Sequence, residues 1–213
     1  MRTARDIDWS LYLVTDRTLP GGKDLLASVA RAVSAGVTVV QLREKEITTR
    51  AFVALAEDLV RLLRPRGIPL IVNDRIDVAL AADADGAHVG QDDMPAALAR
   101  RLLGERRLLG VSVSTPDEAI RAVADGADHL GAGVVFPTAT KTDYDGTIGL
   151  AGLAAITAVA TVPIVAIGGI GAANIAGLAA LPGLAGVAVV SAILGQPDPG
   201  AAAAGLAALW RTR

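Results

Sequence analysis

Eight short apolar runs alternate with eight helix-length segments along 213 residues, which predicts an α/β fold, a (β/α)8 or TIM barrel, built as one domain over residues 1–213. Three observations carry the prediction. The strand candidates are rich in Val, Ile and Leu, as strands buried on both faces are. The segments between them have helical spacing and good helix formers. Eight such units fit a chain near the lower size limit of this architecture, and no linker divides it. An open doubly wound sheet would need a Gly-rich turn after its first strand, where Thr15-Asp16-Arg17 stands instead.

Taken in order, the first strand is Leu11–Thr15, and the helix near Leu25–Ala35 stops at Gly36. The second strand, Val37–Leu42, leads to a helix over Thr49–Leu63 that ends before Gly67. Strand Pro69–Val72 precedes a helix over Arg75–Ala82, and Gly86–Val89 precedes Pro95–Leu103. After strand Leu108–Ser112, Thr115-Pro116-Asp117-Glu118 sets a cap, a proline and two acids at the start of helix Pro116–Ala124. Strand His129–Gly133 then precedes helix Leu150–Ala160, and Ile164–Ile167 precedes Asn174–Leu181. The last unit is Val187–Val190 with helix Ala201–Trp210. ADGAH at 84–88 and ADGAD at 124–128 read as one helix-to-strand joint used twice.

Composition narrows the function. Hydrophobic residues make up 52% and the net charge is −2, which excludes a disordered chain and a strongly basic nucleic-acid binder. Cysteine is absent, so thiol nucleophiles, zinc ribbons and disulfide frameworks are excluded. Two histidines, His88 and His129, leave little for a multi-His metal site, and both read as structural. No charged residue occurs between Asp145 and Asp198, a stretch long enough to span a bilayer. Pro163, Gly168-Gly169, Pro182 and Gly186 cut it into short pieces, however, so it reads as buried strands and their helices. The first residues carry charges and no apolar run of signal-peptide length, so a cytoplasmic protein is expected.

In such a barrel the chemistry lies where the strands end. Arg43 and Lys45 follow strand 2 at period-2 spacing and leave one face of an extended segment. With Lys141 they set three cations over one mouth, a receptor for phosphate or pyrophosphate. Asp74 and Asp93 end adjacent strands and suit Mg²⁺, which takes one or two protein carboxylates and fills its remaining positions with water and phosphate. Gly168-Gly169 and Val190-Ser191 lie after strands 7 and 8, where backbone N–H groups often hold a phosphate. Thr138 and Thr140 flank the strand-6 loop with hydroxyls. Two anion pockets, one metal and no evident nucleophile favour chemistry driven by stabilising a leaving polyanion.

LYLVTD, VVQLREK, IVNDRIDVALAADADGAHVGQDDMP, LLGVSVST, GAGVVFPTATK, PIVAIGGI and GVAVVSAI occur in the order found in thiamine-phosphate synthases. The chain resembles that family from about Leu11 to Leu194. The resemblance implies a transferase of thiamine biosynthesis. It joins 4-amino-2-methyl-5-(diphosphooxymethyl)pyrimidine to 4-methyl-5-(2-phosphooxyethyl)thiazole, or its 2-carboxy form, and releases thiamine monophosphate and pyrophosphate. It further implies that Gln41, Arg43, Lys45, Asn73, Ser112 and Lys141 bind the pyrimidine diphosphate. Asp74 and Asp93 are then the Mg²⁺ ligands, and Thr138, Thr140, Gly168, Val190 and Ser191 the thiazole-phosphate contacts. Among these, Arg43, Lys45, Ser112 and Lys141 carry the catalytic roles. Ser114 stands where many relatives have His, and Ala185 where an acidic residue is usual.

The rival enzyme is a thiazole tautomerase, which shares the barrel but lacks the paired aspartates. A Schiff-base lysine would be desolvated, whereas Lys45 and Lys141 sit in polar motifs. A non-catalytic phosphate-binding homologue would have lost Asp74, Asp93, Arg43 or Lys141, and all four are intact. The expected partners are small-molecule substrates and further copies of the chain, with neither nucleic acid nor membrane. Uncharged helices near Leu150–Ala160, Asn174–Leu181 and Ala201–Trp210 point to a homo-oligomer, most simply a dimer, through their apolar faces. The polar loop Lys141–Gly149 is expected to be mobile and to order over the bound diphosphate.

Overall fold

The structure, a computed structural model, describes residues 4–19, 24–138, 140 and 146–211. Eight parallel strands close into a barrel in chain order: β1 (Leu11–Val14), β2 (Val39–Leu42), β3 (Leu70–Asn73), β4 (Gly86–Val89), β5 (Leu108–Val113), β6 (His129–Gly133), β7 (Ile164–Ile167) and β8 (Leu184–Val189). The helices are α1 (Leu25–Ser34), α2 (Thr49–Leu63), α3 (Ile76–Ala81), α4 (Ala96–Leu103), α5 (Pro116–Ala124), α6 (Gly149–Val159), α7 (Ile175–Ala179), α8 (Ser191–Leu194) and α9 (Pro199–Arg211). Among the described residues no helix is long and apolar enough to cross a membrane.

Side chains alternate between two cores, because successive residues of a strand point to opposite sides. Trp9, Tyr12, Val14, Val39, Ile71, Leu108, Val165 and Ala188 fill the barrel lumen. Leu11, Leu13, Val40, Leu42, Leu70 and Leu109 instead face the helix ring, where Phe52, Leu153 and Trp210 cover them. Each large side chain so buried contributes roughly 1.5–3 kcal/mol. At α5 the expected cap is present. Thr115 Oγ accepts from Glu118 N at 3.2 Å, and Glu118 returns by accepting from Ser114 N at 2.6 Å.

Two expectations need correction. The ADGA segments are not one joint. Gly126 ends α5 at φ +94, three residues before β6 starts, whereas Gly86 is the first residue of β4. Just before the first segment Asp83 takes the left-handed position, at φ 52, and a Cβ on Gly86 would lie 2.2 Å from Leu108 O. Strand β8 also begins earlier than Val187. Gly186 belongs to it, because a Cβ there would lie 1.7 Å from Trp9 O: the glycine serves close backbone approach, not a turn. The short helix α8, directly after β8, carries no periodicity signal in four residues.

Candidate active site

The described residues among those singled out from the sequence stand at the C-terminal ends of the strands. From β2, Gln41 is buried and its Nε2 donates to Tyr12 Oη at 2.9 Å. Thr15, fully buried after β1, accepts from Arg43 N at 3.1 Å and so holds the backbone that carries Arg43. Glu44 is drawn away from its cationic neighbours by Arg17, whose Nε lies 2.7 Å from its carboxylate. Arg43 and Lys45 are thereby left to act on the acids opposite.

Those acids are Asp74 and Asp93. Asp74 extends the ladder past β3, its N–H donating to His88 O at 2.8 Å, and holds φ 61, a left-handed backbone unusual for a side chain other than glycine. Asp93 Oδ2 accepts from Gly90 N at 2.7 Å, which folds the β4 loop back and aims the carboxylate. The two carboxyls share a hydrogen bond. Burial pushes Asp74 up to about 7, the Asp93 hydrogen bond and charge push the same way, and Arg43 and Lys45 oppose the rise. Four of the sequence-derived residues therefore interact across the ends of β2, β3 and β4.

Asn73 ends β3 in register with His88 of β4. His88 Nε2 lies 2.9 Å from Ser112 Oγ on β5, and Gln91 Nε2 donates to Ser112 O at 2.7 Å. His88, read as structural from sequence, thus touches a site candidate. Its period-2 position, two residues beyond Gly86 on the lumen side of β4, was the available signal. His129 fits the structural reading: it is fully buried, stacks on Trp9 with centroids 4.2 Å apart, and burial holds its imidazole well below the usual histidine range. Tyr12 and Thr15 were also missed as supports. Both lie in LYLVTD, but which strand they meet is a property of the closed barrel.

At the other side of the mouth, Gly168 has φ +104 and a Cβ there would lie 2.5 Å from Val134 Cγ1; Gly169, at φ +62, would meet Pro137 O at 2.5 Å. Only glycine fits these positions without strain. Asn174 ties the loop, its Oδ1 accepting from Gly171 N and its Nδ2 donating to Gly169 O, each at 2.9 Å. Thr138 Oγ accepts from Thr140 N at 3.2 Å in the β6 loop. Val190 caps α8 and Ser191 is its first residue. Lys141, and with it most of the Lys141–Gly149 loop, lies outside the described residues. Ser114, placed where relatives carry His, gives its hydroxyl to Glu118 at 2.9 Å.

A cavity of about 430 Å³ lies at the opposite, N-terminal end of the strands, lined by Arg64, Asp83, Asp85, Arg106 and Arg107 among others. There Asp83 binds Arg64 and Arg107, and Asp85 accepts from Leu70 N at 2.9 Å. These contacts brace the barrel floor, the end associated with stability. Among the described residues no three His, Cys, Asp or Glu side chains group to hold a metal. The pair Asp74 and Asp93 offers hard oxygen ligands in mutual contact, the donor set of a Mg²⁺ site completed by water and phosphate.

Relatives share this framework. A thiamine-phosphate synthase of Desulfitobacterium hafniense is 53% identical over 205 residues, covering 96% of this chain and 99% of the relative. A thiamine-phosphate synthase of Chloroflexus aurantiacus is 55% identical over 150 residues, 70% of this chain and 69% of that one. A solved thiamine phosphate pyrophosphorylase from Pyrococcus furiosus superposes with a TM-score of 0.87 at 38% identity, covering 96% of each chain. A 3-hexulose-6-phosphate synthase, with a TM-score of 0.65 at 20% identity, shares the fold alone. The profile of the thiamine monophosphate synthase family matches residues 11–193, and this chain belongs to that family.

Proposed function

We propose that this chain is a Mg²⁺-dependent thiamine-phosphate synthase whose site is the rim just described. It joins the pyrimidine methyl diphosphate to the thiazole phosphate and yields thiamine monophosphate and pyrophosphate; a 2-carboxy thiazole would in addition lose CO₂, its C2 taking up a proton from water. The observation that carries the reading is the meeting of Arg43, Lys45, Asp74 and Asp93 over one mouth.

The reaction breaks the bond between the pyrimidine methylene carbon and its diphosphate oxygen. The electron pair leaves with pyrophosphate. The thiazole nitrogen lone pair then forms the new C–N bond, and this step needs no protein base. Arg43 and Lys45, with Lys141, stabilise charge growing on the departing oxygens. Asp74 and Asp93 would hold Mg²⁺, which would supply neutralisation of the diphosphate charge. Gln41, Asn73 and Ser112 orient the pyrimidine. Thr138, Thr140, Gly168, Val190 and Ser191 receive the thiazole phosphate, the left-handed Gly168 opening the approach. Holding both substrates together supplies the orientation term.

The tautomerase and binding-only readings are not favoured, because the full-length relatives are synthases and the acid pair is intact. A homo-oligomeric state and a cytoplasmic location belong to the same proposal; cell fractionation tests the second. The first assay mixes both substrates with Mg²⁺ and follows thiamine monophosphate and pyrophosphate. Equal amounts of both products, lost with EDTA and in Asp93→Ala, are expected. Absence of product from folded, ligand-binding protein would overturn the reading.

A further inference from the structure

We infer that Gln91 is a positioning residue: it ties the turn that carries Asp93 to Ser112, and so sets the span over which the pyrimidine diphosphate is held. This rests on the function proposed above and deepens it. Residues 90–93 form a turn closed on itself. Gly90 N donates to Asp93 Oδ2 at 2.7 Å, and Asp93 N donates to Gly90 O at 3.4 Å. A Cβ on Gly90 would lie 2.9 Å from Asp93 Oδ2, so the glycine makes room for that carboxylate. The carboxylate is thereby fixed relative to its own turn, and the attachment of the turn decides where it stands over the mouth. Among the described residues two hydrogen bonds join residues 90–93 to other parts of the chain. One is the bond that Asp93 shares with Asp74. The other runs from Gln91 Nε2 to Ser112 O, at 2.7 Å and 21 residues along the chain.

Ser112 is held from β4 at two points. Its hydroxyl lies 2.9 Å from His88 Nε2, and its carbonyl accepts from Gln91. His88 O in turn accepts from Asp74 N at 2.8 Å. Asp74, His88, Ser112, Gln91 and Asp93 thus close a ring of contacts across the ends of β3, β4 and β5, with the acid pair at one point and the serine at another. In the proposed reaction one molecule engages both points: its diphosphate meets the acid pair through the metal, and its pyrimidine meets Ser112. The separation of the two points must match that molecule, and a misplacement of about 1 Å costs on the order of a hundredfold in rate. Gln91 is exposed and belongs to neither core, so its amide contributes little to stability and its consequence is geometric.

The test is Gln91→Met, which keeps the length and neutrality of the side chain and removes the donor; Gln91→Ala should behave alike. Both should keep the native circular dichroism spectrum and Tm, since the position is exposed. By calorimetry in Mg²⁺, without the thiazole phosphate, Gln91→Met should bind the pyrimidine diphosphate about tenfold more weakly than native protein. Inorganic pyrophosphate has no pyrimidine and engages the acid pair alone, so it should bind native protein and variant equally. KM for the pyrimidine diphosphate should rise in step with the binding loss, and KM for the thiazole phosphate should stay at its native value. With Ser112→Ala already in place, Gln91→Met should add little, because one end of the span is then gone. Native-like binding by Gln91→Met, equal weakening of both ligands, or full additivity with Ser112→Ala would each overturn the inference alone. Native protein that binds neither ligand would overturn the proposed function itself.

Discussion

Replacing Asp74 by Asn should make the metal-free protein more stable at alkaline pH, although it removes a proposed Mg²⁺ ligand. Asp74 rises from 3.8 to about 7 because it is desolvated and shares a hydrogen bond with Asp93. The folded chain therefore holds this proton more tightly than the unfolded chain. The stability so gained is complete below the unfolded value and is lost as pH rises through about 7. Asparagine does not ionise, so its advantage over Asp grows across that window. The shift in Asp74 corresponds to ~4 kcal/mol at ~1.36 kcal/mol per unit. The side chain is only partly buried, and solvent screening reduces this to ~1–2 kcal/mol. For a chain of this length that is a Tm difference of ~3–6 °C. Asn also tolerates the left-handed backbone, which adds an offset independent of pH. The assay is thermal unfolding of both proteins in EDTA from pH 5 to pH 8.5. Mg²⁺ at pH 8 should raise the Tm of native protein and leave the variant unmoved. A Tm difference that is the same at pH 5 and pH 8.5 would refute the argument that the acid pair carries repulsion at the rim.

Three further outcomes follow from particular contacts. Gly168→Ala should destabilise by ~2–4 kcal/mol in urea unfolding, because a left-handed position and a contact with Val134 are both violated; a change below ~0.5 kcal/mol would contradict the geometry. Tyr12→Phe removes the oxygen that receives the buried Gln41 amide, at a cost of ~1–3 kcal/mol; KM for the pyrimidine diphosphate should rise more than KM for the thiazole phosphate, and equal changes in both would count against Gln41 as a pyrimidine contact. Thr115→Ala should cost ~1 kcal/mol through loss of the α5 cap, with kcat unchanged, as read by thermal unfolding and the product assay.

Much of this molecule is legible along the chain, for local reasons. Runs such as LYLV and PIVAI are apolar on both faces, which suits a strand with a packed lumen on one side and a helix ring on the other. Thr115-Pro116 and Glu118 state where α5 begins, because capping acts within one turn. Arg43 and Lys45 could be paired by spacing alone, and Asp74 and Asp93 by their shared place after a strand. Glycine is where local reading failed. Gly126 ends a helix, whereas Gly86 starts a strand and Gly186 lies inside one, each where another backbone passes too close for a Cβ, and nothing within their own segments distinguishes the cases. The supporting contacts were equally hidden. Thr15 holds Arg43 across 28 residues, Tyr12 holds Gln41 across 29, and His88 meets Ser112 across 24. Each pair forms only when the strands come into register around the barrel. Periodicity and capping are short-range properties of a segment and survive in the one-dimensional string. Side-chain partners, burial and the proton affinity of Asp74 arise from groups brought together by closure of the sheet, so the tertiary structure alone decides them.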